Sequence, residues 1–171
     1  MTDSLWLASI KATALGAITC LASTQGLAAV HFGADDSSSR YKIEIGHPPA
    51  PAANLLDSAC TQIEAYLHGE LTSFDLPLDW RLCSDFQQRV LVQTCTIPYG
   101  QVRTYAWLAQ QIGQPGASRA VGAAEAANPL PIVVPCHRVI STHGRLGGYS
   151  GHGGVKTKAW LLQLEGHLLV A

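Results

Sequence analysis

The sequence predicts an α+β protein, with a small antiparallel sheet and a helix in its first part and a mostly helical second part that contains a helix-turn-helix. Three observations predict it. Leu15, Ala17, Thr19 and Leu21 alternate with Gly16, Ile18 and Cys20, then Ser23-Thr24-Gln25-Gly26 supplies a turn and Leu27 to Phe32 returns as a second strand. Leu55, Leu56, Ala59, Ile63, Tyr66 and Leu67 recur at helical spacing. Two short helical patterns, 104–113 and 117–127, are joined by the turn Gln114-Pro115-Gly116. The expected domains are 1–84 and 85–171.

Taken in order, Ala12 to Val30 is apolar enough to resemble a secretory leader. Asp3 beside Lys11 in the preceding stretch and the polar Thr13, Thr19, Ser23, Thr24 and Gln25 argue against that, and the segment reads as a hairpin. Gly33 to Ser39 is a polar connector, Tyr41 to Ile45 a short strand, and His47 to Ala53 a Pro/Ala stretch that punctuates the chain. The first helix is expected behind Asn54, with Gly69 as its stop. Asp75 to Trp80 reads as a turn or edge strand, and Asp85 to Thr94 as a helix through Phe86, Val90 and Leu91. Thr104 is a good N-cap for a helix whose Tyr105, Leu108 and Ile112 share a side, ending at Gly113. Ala117 to Ala127 is almost entirely small, with Arg119 its single long basic side chain; it either packs closely on a neighbour or brings backbone close to DNA. Ile132 to Val134 is expected to be a buried strand that delivers Cys136.

With 47% apolar and 13% charged residues, the chain has the composition of an ordinary folded protein, which excludes a disordered or collagen-like one. No stretch of about 18 residues runs apolar without interruption, so no membrane span is expected. The net charge of −1 hides an asymmetry. Residues 1–90 hold five Lys/Arg against ten Asp/Glu, and residues 91–171 hold six against two, so the second part is the one suited to a polyanion.

Cys20, Cys60, Cys83, Cys95 and Cys136 form no CxxC and are odd in number, which fits neither a disulfide framework nor a zinc ribbon. Free thiols in a reducing cytoplasm are the expectation, and no metal. Cys136 alone has a reactive setting in the sequence: it follows Pro135 and precedes His137 and Arg138, cations expected to lower the thiol pKa. A buried Cys beside a surface His is the competing reading of the same residues.

The string Pro135-Cys136-His137-Arg138-Val139 resembles the active-site motif of the O6-alkylguanine-DNA alkyltransferases, also called methylated-DNA-protein-cysteine methyltransferases. Support runs along the chain in Ile97-Pro98-Tyr99-Gly100, Thr104-Tyr105, Ser118-Arg119-Ala120-Val121-Gly122, Asn128-Pro129, Gly148-Tyr149-Ser150-Gly151 and Lys158-Ala159-Trp160-Leu161-Leu162 with Glu165-Gly166. The match is ordered over about residues 85–167. It is looser in front, where Phe74 to Asp79 and Phe86-Gln87 still resemble family positions.

The resemblance implies direct repair of double-stranded DNA. The alkyl group of O6-alkylguanine, and of O4-alkylthymine, passes irreversibly to Cys136, and the protein acts once. It implies His137 as a base acting through a water, Glu165 as its orienting partner and Tyr105 as proton donor to the departing base. Arg119 would fill the gap left by a flipped base, with Tyr105, Ala117, Ser118, Ala120, Gly122 and Ala126 along the DNA in its minor groove. Asn128, Pro131, Val139, Tyr149, Ser150 and Lys158 would form the substrate pocket. Flipping is physically required, because a thiolate cannot reach O6 inside a stacked duplex. The resemblance implies no cofactor, no membrane, no obligate protein partner and a cytoplasmic monomer.

Two departures stand out. The segment Gly151-His152-Gly153-Gly154-Val155-Lys156-Thr157 is about two residues longer than in some relatives, at the pocket lip, and Arg81 to Asp85 replaces a Gly-Thr pair frequent before Phe-Gln. Two other classes compete: a lesion sensor that flips the base without reacting, which would lack the nucleophile that Cys136 supplies, and a cysteine hydrolase, whose Cys and His lie far apart in sequence.

Overall fold

The computed structural model describes residues 4–32, 41–44, 46–142, 144–149, 151 and 153–167. The chain divides into two compact units, Met1–Leu82 and Cys83–Ala171.

In the first unit β1 (Trp6–Thr13), β2 (Gly16–Ala22) and β3 (Leu27–Phe32) form an antiparallel sheet in the order β1-β2-β3. The predicted hairpin is β2-β3, with Ile18 opposite Phe32 and Cys20 opposite Val30. The strand β1 was not predicted. It pairs along β2 from Trp6 opposite Ala22 to Ile10 opposite Ile18, then shifts register before Thr13. Gly26 is required at the next corner: a Cβ there would stand 2.7 Å from the Leu78 carbonyl carbon. That close approach lets Leu27 N donate to Pro77 O and Asp79 N donate to Leu27 O, both at 2.8 Å, so Asp75 to Trp80 edges the sheet at Leu78 as the sequence suggested.

Helix α1 (Ala50–Leu67) begins five residues before the expected start at Leu55, behind Asn54. Pro51 stands in its first turn, where a missing N–H removes no helical bond, so the Pro/Ala stretch opens the helix instead of delimiting it. Ala52, Leu56, Ala59, Ile63, Tyr66 and Leu67 are buried, and Gly69, at φ +76°, follows the C-cap His68. The strand expected at Tyr41–Ile45 reduces to one bridge, Ile43 to Leu5; Ile45 lies outside the described residues. So does the connector Gly33 to Ser39.

The second unit holds α2 (Asp85–Thr94), α3 (Tyr105–Gln111), α4 (Ser118–Ala126) and α5 (Val155–Leu164). Ser84 caps α2 through Gln87 N and Thr104 caps α3 through Trp107 N, each satisfying an N–H that the first helical turn leaves free. Val90, Ile97, Leu108, Ala109, Val121, Ala124 and Val139 form one core, so α2, α3 and α4 pack as a unit with α3 and α4 as the helix-turn-helix. Two short strands, β4 (Arg103–Thr104) and β5 (Val139–Ile140), pair in parallel and fix the residues just before α3 to those just after Arg138.

Candidate active site

The segment that carries Cys136 is a tight turn, not the expected strand. Pro129, Pro131 and Pro135 have no N–H to give a ladder. Asn128 supplies the bonds instead: its Oδ1 accepts from Leu130 N at 2.9 Å and its Nδ2 donates to Val134 O at 3.0 Å, while Val134 N donates to Leu130 O at 2.8 Å. Inside this loop Ile132 takes φ +74°, a left-handed conformation that is strained for a β-branched residue by about 1–3 kcal/mol. Its complete burial and the Asn128 clamp hold it there. Cys136–Arg138 then makes one 3-10 turn into β5.

Cys136 is 3% exposed, and burial pushes its thiol up to about 12. Glu125 raises it further, while a hydrogen bond with Asn128 and the charge of Lys158 pull it down. The expectation that its chain neighbours lower this pKa is therefore corrected. The Arg138 side chain is turned onto a carboxylate, and the cation that favours the thiolate comes from α5.

That carboxylate is Glu165. It accepts from His137 Nε2 at 2.8 Å, from Arg138 Nε at 3.1 and 3.0 Å, from Arg138 Nη2 at 2.9 Å and from Gly100 N at 3.0 Å. Arg138 Nη1 also donates to Ile97 O at 2.6 Å. Burial holds the His137 pKa below its usual value against the pull of Glu165, so the ring is neutral. Since Nε2 faces an acceptor, Nε2 carries the proton and Nδ1 is the basic nitrogen. Sequence reasoning missed Arg138 as a partner of Glu165. A signal was present: residues 91–171 hold only two carboxylates, Glu125 and Glu165, so a buried Arg there has few counter-ions to choose from.

Tyr105 opens α3, half-buried, with its ring against α4: a Cβ on Gly122 would lie 3.9 Å from Tyr105 Cδ1. On its other side a Cβ on Gly147 would meet the hydroxyl at 2.9 Å, and Gly147 has φ +65°. Burial raises the Tyr105 pKa, as do the charges of Glu125 and Cys136, so it is a neutral donor. Lys158 is fully buried, its Nζ 5.8 Å from the Tyr105 ring centroid and donating to Val139 O at 2.6 Å. Burial lowers it to about 8, against the pull of Cys136 and Glu125.

The structure thus brings together Cys136, His137, Glu165, Tyr105, Asn128, Val139 and Lys158. Pro131 is buried in the Asn128 turn and Tyr149 is half-buried; Ser150 lies outside the described residues. On α4, Arg119, Ala120 and Ala126 are exposed, Gly122 and Ser118 are half-buried, and Ala117 is the N-cap. This face is a stripe of small residues with one long cation at its start. Glu125 and Thr94, which sequence reasoning did not single out, meet beneath it.

Two family models match the chain: 6-O-methylguanine DNA methyltransferase, DNA binding domain, over residues 85–167, and 6-O-methylguanine DNA methyltransferase, ribonuclease-like domain, over residues 8–80. A methylated-DNA-protein-cysteine methyltransferase of Methanosarcina acetivorans is 41% identical over 152 residues, 89% of this chain and 93% of the relative. The chain belongs to this methyltransferase family. A Mycobacterium bovis methyltransferase of the same name is 53% identical over 115 residues, 67% of this chain and 68% of its own. Among solved structures, Mycobacterium tuberculosis OGT in complex with DNA superposes with a TM-score of 0.78 at 42% identity, covering 94% of this chain and 92% of that one. In this methyltransferase all the residues of the Cys136 cluster fall within the matched DNA binding domain. Among the described residues no helix is long and apolar enough to cross a membrane.

Proposed function

We propose that this methyltransferase repairs O6-alkylguanine, and O4-alkylthymine, in double-stranded DNA by moving the alkyl group onto Cys136. The observation that carries the reading is the buried His137–Glu165 pair, clamped by Arg138, on the residue next to Cys136. The thiol sulfur attacks the alkyl carbon, the S–C bond forms and the C–O6 bond breaks, with its electron pair passing into the base. His137 takes the thiol proton, and its imidazolium is stabilised by Glu165. Tyr105 gives a proton to the base as negative charge builds there. Lys158 favours the thiolate at a site where burial opposes it. A thioether is not hydrolysed by water, so each molecule reacts once.

The exposed face of α4 suits close approach to DNA backbone: Ala120 and Ala126 keep the helix surface low, and Arg119 is long enough to enter the space a flipped base leaves. Ala117, Ser118, Gly122 and Tyr105 border that face; Pro131 and Tyr149 complete the pocket beside Asn128 and Val139. The first domain, 1–84, carries no part of this chemistry; the second, 85–171, carries DNA binding and transfer. Five free cysteines suit a reducing cytoplasm.

Intact-protein mass tests the reading. After incubation with duplex DNA that carries O6-methylguanine, the protein should gain roughly 14 Da once per molecule, and Cys136→Ser should gain nothing. Binding of the lesion without a mass gain would leave a sensor; turnover of an ester would favour a hydrolase.

A further inference from the structure

Glu125 is buried on α4, where its charge acts on the Cys136 thiol, and the mechanism above gives it no task. It is 4% exposed. Its Oε1 is hydrogen-bonded to Thr94 Oγ1 on α2, and its Oε2 is buried with no hydrogen-bond partner among the described residues. Thr94 Oγ1 also lies 3.0 Å from Val90 O. One hydroxyl proton therefore faces two acceptors if Glu125 is a carboxylate. If Glu125 is a carboxylic acid the set resolves: its O–H donates to Thr94 Oγ1, and Thr94 donates to Val90 O. Glu165, with its guanidinium, imidazole and amide donors, is the opposite case.

We propose that Glu125 is a positioning residue for alkyl transfer, a protonated carboxylic acid that ties the DNA-facing helix to α2 and withholds negative charge from Cys136. The proposal rests on Cys136 as the nucleophile. The titratable groups that face Glu125 are Cys136, Tyr105 at the start of α3, Cys95 at the end of α2 and Lys158 on α5. Lys158 is the one cation among them, and its ammonium is committed to Val139 O. Negative charge on Glu125 raises the pKa of the other three groups, so it works against the thiolate that must form. Burial moves Glu125 up to about 7, against smaller opposing effects of Thr94 and Lys158. The folded-state value thus lies above the ordinary carboxyl value of 4.5. Stability from the neutral form is complete at low pH and is lost as pH rises through about 7.

The test compares wild type with Glu125→Gln, which stays neutral and can still donate to Thr94, and with Glu125→Met, which fills the site without a polar group. Melting temperature is read without DNA between about pH 6 and about pH 8.5. Wild type should fall by about 5 °C relative to both variants over that range. The single-turnover rate on DNA with O6-methylguanine should rise more steeply with pH in E125Q, so that the E125Q-to-wild-type ratio grows about fivefold. Parallel melting curves would overturn the neutral acid, and a flat rate ratio would overturn its link to Cys136. If wild type transfers no alkyl group at all, the assignment of Cys136 fails, and the melting comparison still decides the state of Glu125.

Discussion

Around the sheet of the first unit, Ile18, Leu21, Leu27, Leu56 and Ile63 are buried among other apolar side chains, and Ser23 is the one buried polar residue among those described. The second unit buries Glu125, His137, Arg138, Lys158 and Glu165. Apolar burial is non-directional and tolerates substitution at a cost set by volume, whereas a buried charge is tolerated only with its partner in place. In the second unit two of these groups act on the buried thiol of Cys136, Glu125 raising its pKa and Lys158 lowering it. Within the same unit the two buried carboxylates differ in their partners. Glu165 accepts from His137, Arg138 and Gly100, whereas Glu125 shares one hydroxyl and burial raises its pKa.

The comparison can be broken most directly at Glu165. Glu165→Ala leaves the Arg138 guanidinium buried without its carboxylate and should cost about 3–5 kcal/mol in urea unfolding. A loss below about 1 kcal/mol would mean that the second unit does not depend on paired charge. In the first unit Leu56→Ala should cost about 3 kcal/mol through the cavity it leaves, while the folded fraction transfers alkyl groups at the wild-type rate in a single-turnover assay. A parallel fall in that rate would erase the division of labour. The smallest effect is expected at Thr104→Ala, which removes the α3 cap on Trp107 N and should lower stability by about 1 kcal/mol. Because Tyr105 follows directly, a rate loss larger than the stability loss would sharpen the link between cap and site.

Local pattern was legible wherever neighbours in sequence are also neighbours in space. The β2-β3 hairpin, the bounds of α2, the Thr104 cap and the glycine stop after α1 all follow from residues a few positions apart. The strand β1 escaped because only its pairing with β2 defines it; Leu7 is exposed and Trp6 half-buried, so its own alternation is weak. Residues 132–134 looked like a strand because they are apolar and β-branched, but Asn128 and three prolines fold them into a turn.

The candidate site was legible as a motif, and its chemistry was not. Adjacency in sequence placed His137 and Arg138 beside Cys136 and suggested that their charge acts on the thiol. The family resemblance singled out Tyr105, Asn128, Lys158 and Glu165. By itself the sequence determined which groups are available: one thiol in a Pro-Cys-His-Arg run, two carboxylates and six cations in residues 91–171, and a small-residue helix bearing one Arg. Only the tertiary structure decided how they pair. Ion pairs and desolvation depend on distances across the fold, and it is the fold that gives Arg138 to Glu165, Lys158 to the neighbourhood of Cys136, and Glu125 to a threonine hydroxyl.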